Sequence, residues 1–121
     1  MFDVTDKRKE AALISADAIR GYIDIMLLSL LSKQDSYAYE LAQQISAVTK
    51  DDYTIKQTTL YSAVKRLEEA GLVTSYPGTS DSGKPRTYYR ITDGGKENLS
   101  QKTQEWLVTK SVVDRFIAES K

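Results

Sequence analysis

The sequence predicts a mainly α domain that carries one small β-hairpin. Three observations say so. Apolar residues recur at spacings of three and four along the first half of the chain, the same spacing returns around Leu60, and two β-rich segments flank a run of turn formers before a last helical stretch. The 121 residues suit one compact core, for which folding buries roughly two-thirds of the unfolded surface. A second subunit would add usefully to a core of that size.

The first helical pattern runs from Lys7 to Leu31, with Leu13, Ile14, Ala18, Ile19, Tyr22, Ile23, Met26, Leu27, Leu30 and Leu31 on its apolar positions. Its second half is apolar nearly all round, which predicts a central helix, while Lys7 to Glu10 point to solvent or a partner subunit. Asp35 or Ser36 is placed to cap a second helix bearing Tyr37, Leu41, Ile45 and Val48. Asp51-Asp52 reads as a turn and Tyr53-Thr54-Ile55 as a short strand. A third helix follows from Gln57 to Ala70, with Leu60, Val64 and Leu67 on one face and Gly71 at the left-handed position that ends it. Leu72 to Tyr76 and Arg86 to Ile91 form the hairpin strands, joined by a long exposed loop from Pro77 to Gly83. Thr92 or Asp93 caps a last helix with Leu99, Thr103, Trp106, Lys110, Val113 and Ile117 on one stripe. That stripe suits a partner helix.

Composition removes whole classes of function. With no Cys and no His the chain offers no thiolate, no imidazole base and no soft metal ligand, so neither a metal site nor a cofactor is expected, and Asp24, Glu40 and Glu68 form no spaced catalytic pair. Met1 to Asp6 lacks a secretory pattern, and the apolar run from Tyr22 to Leu31 is shorter than the ~20 residues a bilayer requires. A cytoplasmic protein without membrane contact is the expectation.

The 17 Lys and Arg balance the 17 Asp and Glu, which by itself argues against a polyanion partner. The balance is uneven along the chain. Tyr53 to Leu67 holds Lys56, Lys65 and Arg66 without an acid, and Ser82 to Thr92 holds Lys84, Arg86 and Arg90 without one, so each window nets +3. The acids, Asp17, Asp24, Asp35, Asp51 and Asp52 among them, fall elsewhere in the sequence. Helix, helix, strand, helix, hairpin, helix is the order of a winged helix-turn-helix, whose third helix enters the major groove and whose hairpin is the wing. The two basic windows are those elements.

The segments Tyr37-Ala38-Tyr39-Glu40-Leu41, Thr59 to Glu68, Gly71-Leu72-Val73 and Gly83 to Thr92 closely resemble the PadR family of bacterial transcriptional regulators, in the family's order from about Arg20 to Trp106. The resemblance implies a homodimeric, ligand-responsive repressor with a winged helix-turn-helix over residues 1–92 and a C-terminal dimerisation helix over 93–121, the family's short branch. It implies double-stranded DNA as partner, bound as a palindromic operator with half-sites ~10 base pairs apart. The chain departs from the family pattern at Ala38, Ser62 and Lys56, and the last loses a capping oxygen worth ~1 kcal/mol, so Thr58 or Gln57 would cap the third helix instead.

The candidate DNA contacts are Lys56, Gln57, Thr58, Thr59, Tyr61, Ser62 and Lys65 on the third helix, Lys84 and Arg86 in the wing, and Tyr37 at the start of the second helix. Tyr61 either reaches the nucleic acid or half-buries against the second helix. Arg66 pairs with Glu68 or Glu69 on its own helix, and Tyr39 packs on the central helix. On the second wing strand Arg86, Tyr88 and Arg90 share one face and Thr87, Tyr89 and Ile91 the other. In a multidrug-sensing member of the family a tryptophan at the place of Trp106 stacks on flat ligands at the dimer interface, so the resemblance makes Trp106 a site for a planar aromatic effector, with Ile14 and Ala18 as further candidates and Met26 lining the same interface; the alternative is a space-filling interface aromatic. Leu13, Leu99, Trp106, Val113, Phe116 and Ile117 are the candidate dimer interface. A rival to DNA is a winged helix whose wing and third helix bind protein, which scattered rather than continuous basic side chains would favour.

Overall fold

The computed structural model describes residues 16–120. The elements are α1 (Ala16–Arg20), α2 (Ile23–Lys33), β1 (Ser36–Tyr37), α3 (Ala38–Val48), α4 (Gln57–Glu69), β2 (Val73–Thr79), β3 (Pro85–Ile91) and α5 (Asp93–Glu119). Lys7 to Glu10, Leu13 and Ile14 lie outside the described residues.

The expected single helix to Leu31 is two helices. Gly21 and Tyr22 form a turn, with the Tyr22 amide bonded to the Ile19 carbonyl at 2.8 Å and α2 starting afresh at Ile23. Glycine has little preference for the helix interior, and the break falls where it stands. α2 is the hub of the core: Leu27, Leu28 and Leu31 are fully buried against Leu41 of α3 and Leu60, Val64 and Leu67 of α4.

Neither Asp35 nor Ser36 caps α3. Ser36 and Tyr37 instead form a two-residue strand antiparallel to β3, with Ser36 opposite Tyr89 and Tyr37 opposite Tyr88, in a sheet of order β1-β3-β2. The buried Ser36 hydroxyl donates to Glu40 at 2.6 Å, which keeps that carboxylate within the fold. Tyr53-Thr54-Ile55 is not a strand; its alternation reflects Ile55 entering the core beside a half-buried Tyr53. The preceding turn puts Lys50 and Asp51 in the left-handed region, at φ 52° and 65°. Thr49 clamps this turn, its Oγ1 donating to the Ile45 carbonyl at 2.9 Å and accepting from the Tyr53 amide at 3.2 Å.

β2 runs on through Pro77 and Gly78 to Thr79, so the wing has a tight tip and not a long loop. Pro77 is tolerated because β2 is the sheet edge, where a missing N–H breaks no inner ladder. The tip closes through Ser80, whose amide donates to the Lys84 carbonyl at 2.9 Å, and Gly83 at φ +85° makes the reversal. Thr92 caps α5 as expected, accepting from the Gly95 amide at 3.0 Å. Gly95 lies so close to the wing's root that a Cβ there would come 2.1 Å from the Leu72 carbonyl oxygen. α5 packs on the core through Leu99, then runs out with Leu107, Val113, Phe116 and Ile117 exposed.

Candidate nucleic-acid interface

α4 divides into two faces. Leu60, Ala63, Val64 and Leu67 are buried, which fixes the helix against α2 and α3. Lys56, Gln57, Thr58, Tyr61, Ser62 and Lys65 are exposed on the other side, Tyr61 at 54%, with Thr59 half-buried between them. The helix begins at Gln57 with Lys56 at the N-cap position and no side-chain cap, so neither Thr58 nor Gln57 takes the role of the missing serine. Its first N–H groups are therefore left for an outside acceptor. No side-chain hydrogen bond or ion pair among the described residues holds Lys56, Gln57, Thr58 or Lys65.

Two of the six cations in the basic windows are neutralised by acids that the sequence places far from them. Arg66 pairs with Asp24 of α2, not with Glu68 or Glu69, and Arg90 pairs with Asp35 at 3.0 Å. Each window thus loses one charge. Asp24 and Asp35, distant along the chain, are structural partners of these elements and do not lie on a separate face. What remains is Lys56 and Lys65 on α4, Lys84 at the wing tip, and Arg86.

Arg86 is half-buried. Its guanidinium lies over the Tyr37 ring, 5.1 Å from the centroid, and its Nε is shut off from solvent with no hydrogen-bond acceptor among the described residues. Tyr37 in turn meets Tyr88 edge-on at 5.3 Å, and Tyr88 stacks on Tyr76 at 5.7 Å. Arg90 lies over Tyr76 at 4.8 Å, and both donate to Asp35, Tyr76 at 2.5 Å and Arg90 at 3.0 Å. The bond to Asp35, with burial second, raises the Tyr76 pKa above its ordinary 10.0, and the same carboxylate raises that of Arg90. The sharing of one face by Arg86, Tyr88 and Arg90 follows from strand alternation, and the hairpin register sets Tyr76 opposite Tyr88; the parts played by Tyr37 and its neighbour Asp35 depend on β1, which the sequence pattern does not reveal. Tyr39 does not pack on α2: it is half exposed, its hydroxyl accepting from Gln43 at 3.1 Å.

A second feature is an apolar cavity of about 490 Å³ between α1, α2, α3 and α5. Trp106 closes one side, edge-on to Tyr22 at 5.1 Å, and Ile25, Met26, Leu30 and Val48 form the rest of its apolar wall. Ile19, not Ala18, is the residue of α1 that lines it, and among the described residues Lys33 is its one cationic side chain. Among the described residues no acidic cluster can hold a metal ion, and no helix is long and apolar enough to cross a membrane.

Residues 27–101 match the model of the transcriptional regulator PadR-like family. The chain belongs to this family. A solved transcriptional regulator from Clostridium thermocellum is 49% identical, with a TM-score of 0.78 over 86% of this chain and 98% of its own. A PadR family transcription regulator from Clostridium difficile is 41% identical, with a TM-score of 0.70 over 80% of this chain and 99% of its own. An uncharacterised protein of Lysinibacillus sphaericus shares 39% identity over 105 residues, which is 87% of this chain and 96% of that protein. The fold is that of PadR winged-helix regulators, a winged-helix DNA-binding fold in which β2-β3 is the wing and α4 the helix that precedes it. Family and structural neighbours are transcriptional regulators, not enzymes.

Proposed function

We propose that this PadR-family regulator is a homodimeric repressor that binds a palindromic operator and releases it when a planar aromatic compound occupies the cavity at Trp106. The observation that carries the DNA half is the exposed face of α4, where no hydrogen bond or ion pair among the described residues ties the side chains of Lys56, Gln57, Thr58, Tyr61, Ser62 and Lys65 away from phosphate or base edges. The dimer is supported by the apolar row on α5, where Val113, Phe116 and Ile117 are exposed, Phe116 at 74%; residues 93–121 would supply the interface, together with Leu13, which lies outside the described residues. Two-fold symmetry then sets the recognition helices one helical turn apart, ~10 base pairs.

For the effector, the cavity's apolar walls and the tryptophan edge suit a flat ring. Thr49 links sensing to reading, since it lines the cavity and its hydroxyl clamps the turn before α4. A ligand releases DNA only to the extent that it binds the DNA-incompetent state better. A regulator of this kind works in the cytoplasm.

Fluorescence anisotropy with the duplex upstream of its gene, taken through a salt series, tests this function. Lys65→Ala with Arg86→Ala should flatten the salt slope by about two contacts. No binding at low salt, or an unchanged slope, refutes DNA contact by these residues. Quenching of the single tryptophan by aromatic compounds, lost in Trp106→Ala, is the expected result for the effector; no quenching by a diverse set leaves Trp106 a packing role.

A further inference from the structure

The outer face of the sheet carries a continuous ladder, Arg86 on Tyr37, Tyr37 against Tyr88, Tyr88 on Tyr76, Tyr76 under Arg90, crossing all three strands. Its two ends differ. Arg90 is neutralised by Asp35, whereas no carboxylate among the described residues pairs with Arg86. One end of the ladder is anchored to the fold and the other holds a full, uncompensated charge.

From this we infer that Tyr37 is a positioning residue for Arg86: its ring presents the guanidinium to a DNA phosphate and does not itself contact the nucleic acid. The inference rests on the DNA-binding function proposed above. A free arginine side chain loses rotamer entropy when it is fixed, and here the fixing precedes any contact with DNA. With Nε buried, a phosphate meets Arg86 through the terminal nitrogens alone. The platform is itself held. Tyr37 lies on β1 opposite Tyr88, the Tyr88 hydroxyl donates to the Thr79 carbonyl at 3.1 Å, and Gly78 gives the Tyr88 ring its space, since a Cβ there would stand 2.5 Å from Cδ1.

Two measurements separate this role from others, both on the full-length protein. In the first, the Arg86 Nε–H resonance of the DNA-free protein is followed by NMR. It should be displaced upfield by the ring and exchange slowly with water, keep both properties in Tyr37→Phe, and lose both in Tyr37→Leu. Fast exchange in the wild type, or no change in Tyr37→Leu, overturns the proposal whatever the protein does with DNA.

In the second, affinity for a fluorescein-labelled mixed-sequence duplex several helical turns long is measured at low salt. Tyr37→Phe should bind as the wild type does and Tyr37→Leu about two- to fivefold more weakly, the worth of an exposed cation–π contact. On an Arg86→Ala background Tyr37→Leu should add nothing. A loss in Tyr37→Phe assigns the hydroxyl a direct contact, and additive losses make Tyr37 and Arg86 independent; either result overturns the positioning role. Absence of wild-type binding to this duplex and to the upstream duplex refutes the DNA function instead, and the NMR result still decides whether Tyr37 holds Arg86.

Discussion

α4 and the wing carry the two basic windows with opposite construction. On α4 the buried side is fixed by Leu60, Val64 and Leu67, and the polar side chains opposite stand exposed without a tie among the described residues. In the wing the polar side chains are tied to one another through rings, hydroxyls and Asp35 before any partner arrives. Reading base edges requires side chains that adjust to sequence, whereas docking on phosphates benefits from charges already in place. The difference therefore separates the adaptable part of the surface from the part set in advance.

The largest effect that would break this comparison comes from below α4. Leu60→Ala should cost about 2–5 kcal/mol in urea unfolding, because Leu60 is fully buried at the centre of the core. Thr58→Ala on the exposed side should stay within about 0.5 kcal/mol while weakening duplex binding. If both change stability alike, α4 does not have two independent faces.

A smaller effect is expected in the wing. Gly78→Ala forces the Tyr88 ring aside and should cost about 1–3 kcal/mol, seen as a lower midpoint with an unchanged denaturant slope. Because the ladder is continuous, the Tyr37 and Tyr76 ring resonances should move with that of Tyr88. A shift confined to Tyr88 would mean separate contacts rather than one unit.

The smallest effect sharpens the same point through pH. Tyr76, held neutral by its bond to Asp35, and Tyr88 and Tyr89, held neutral by burial, all have pKa values raised above 10.0 in the folded protein. The unfolded chain releases those protons first, so this stability is fully present below pH ~10 and is lost as pH rises through the folded values. Unfolding followed from neutral to strongly alkaline pH should show that decline, and Tyr76→Phe should decline less steeply. An equal decline would remove Asp35 from the account.

What the sequence made legible here is local. Gly71 and Thr92 mark helix ends because a left-handed residue and a capping hydroxyl act within one turn of chain. The alternation of Arg86, Tyr88 and Arg90 against Tyr89 and Ile91 is equally local. The ion pairs of Arg66 with Asp24 and Arg90 with Asp35 join residues 42 and 55 positions apart, and no spacing rule reaches that far. β1 escaped for the same reason: two residues have no periodicity, and the partner strand lies at the other end of the domain. Tyr53 to Ile55 misled because burial can alternate where a chain skirts a core, with or without a neighbouring strand.

α5 has one more consequence, set by length alone. Its 27 residues make a rod of about 40 Å, seated near one end by Gly95 and Leu99. A tilt of about 5° at that seat sweeps the far end through about 3 Å, on the scale of an atomic diameter. In an assembly that grips the far end, the seat at the wing's root becomes the short arm of a lever: small adjustments around Trp106 are magnified at the tip, and movements imposed at the tip reach the winged helix geared down.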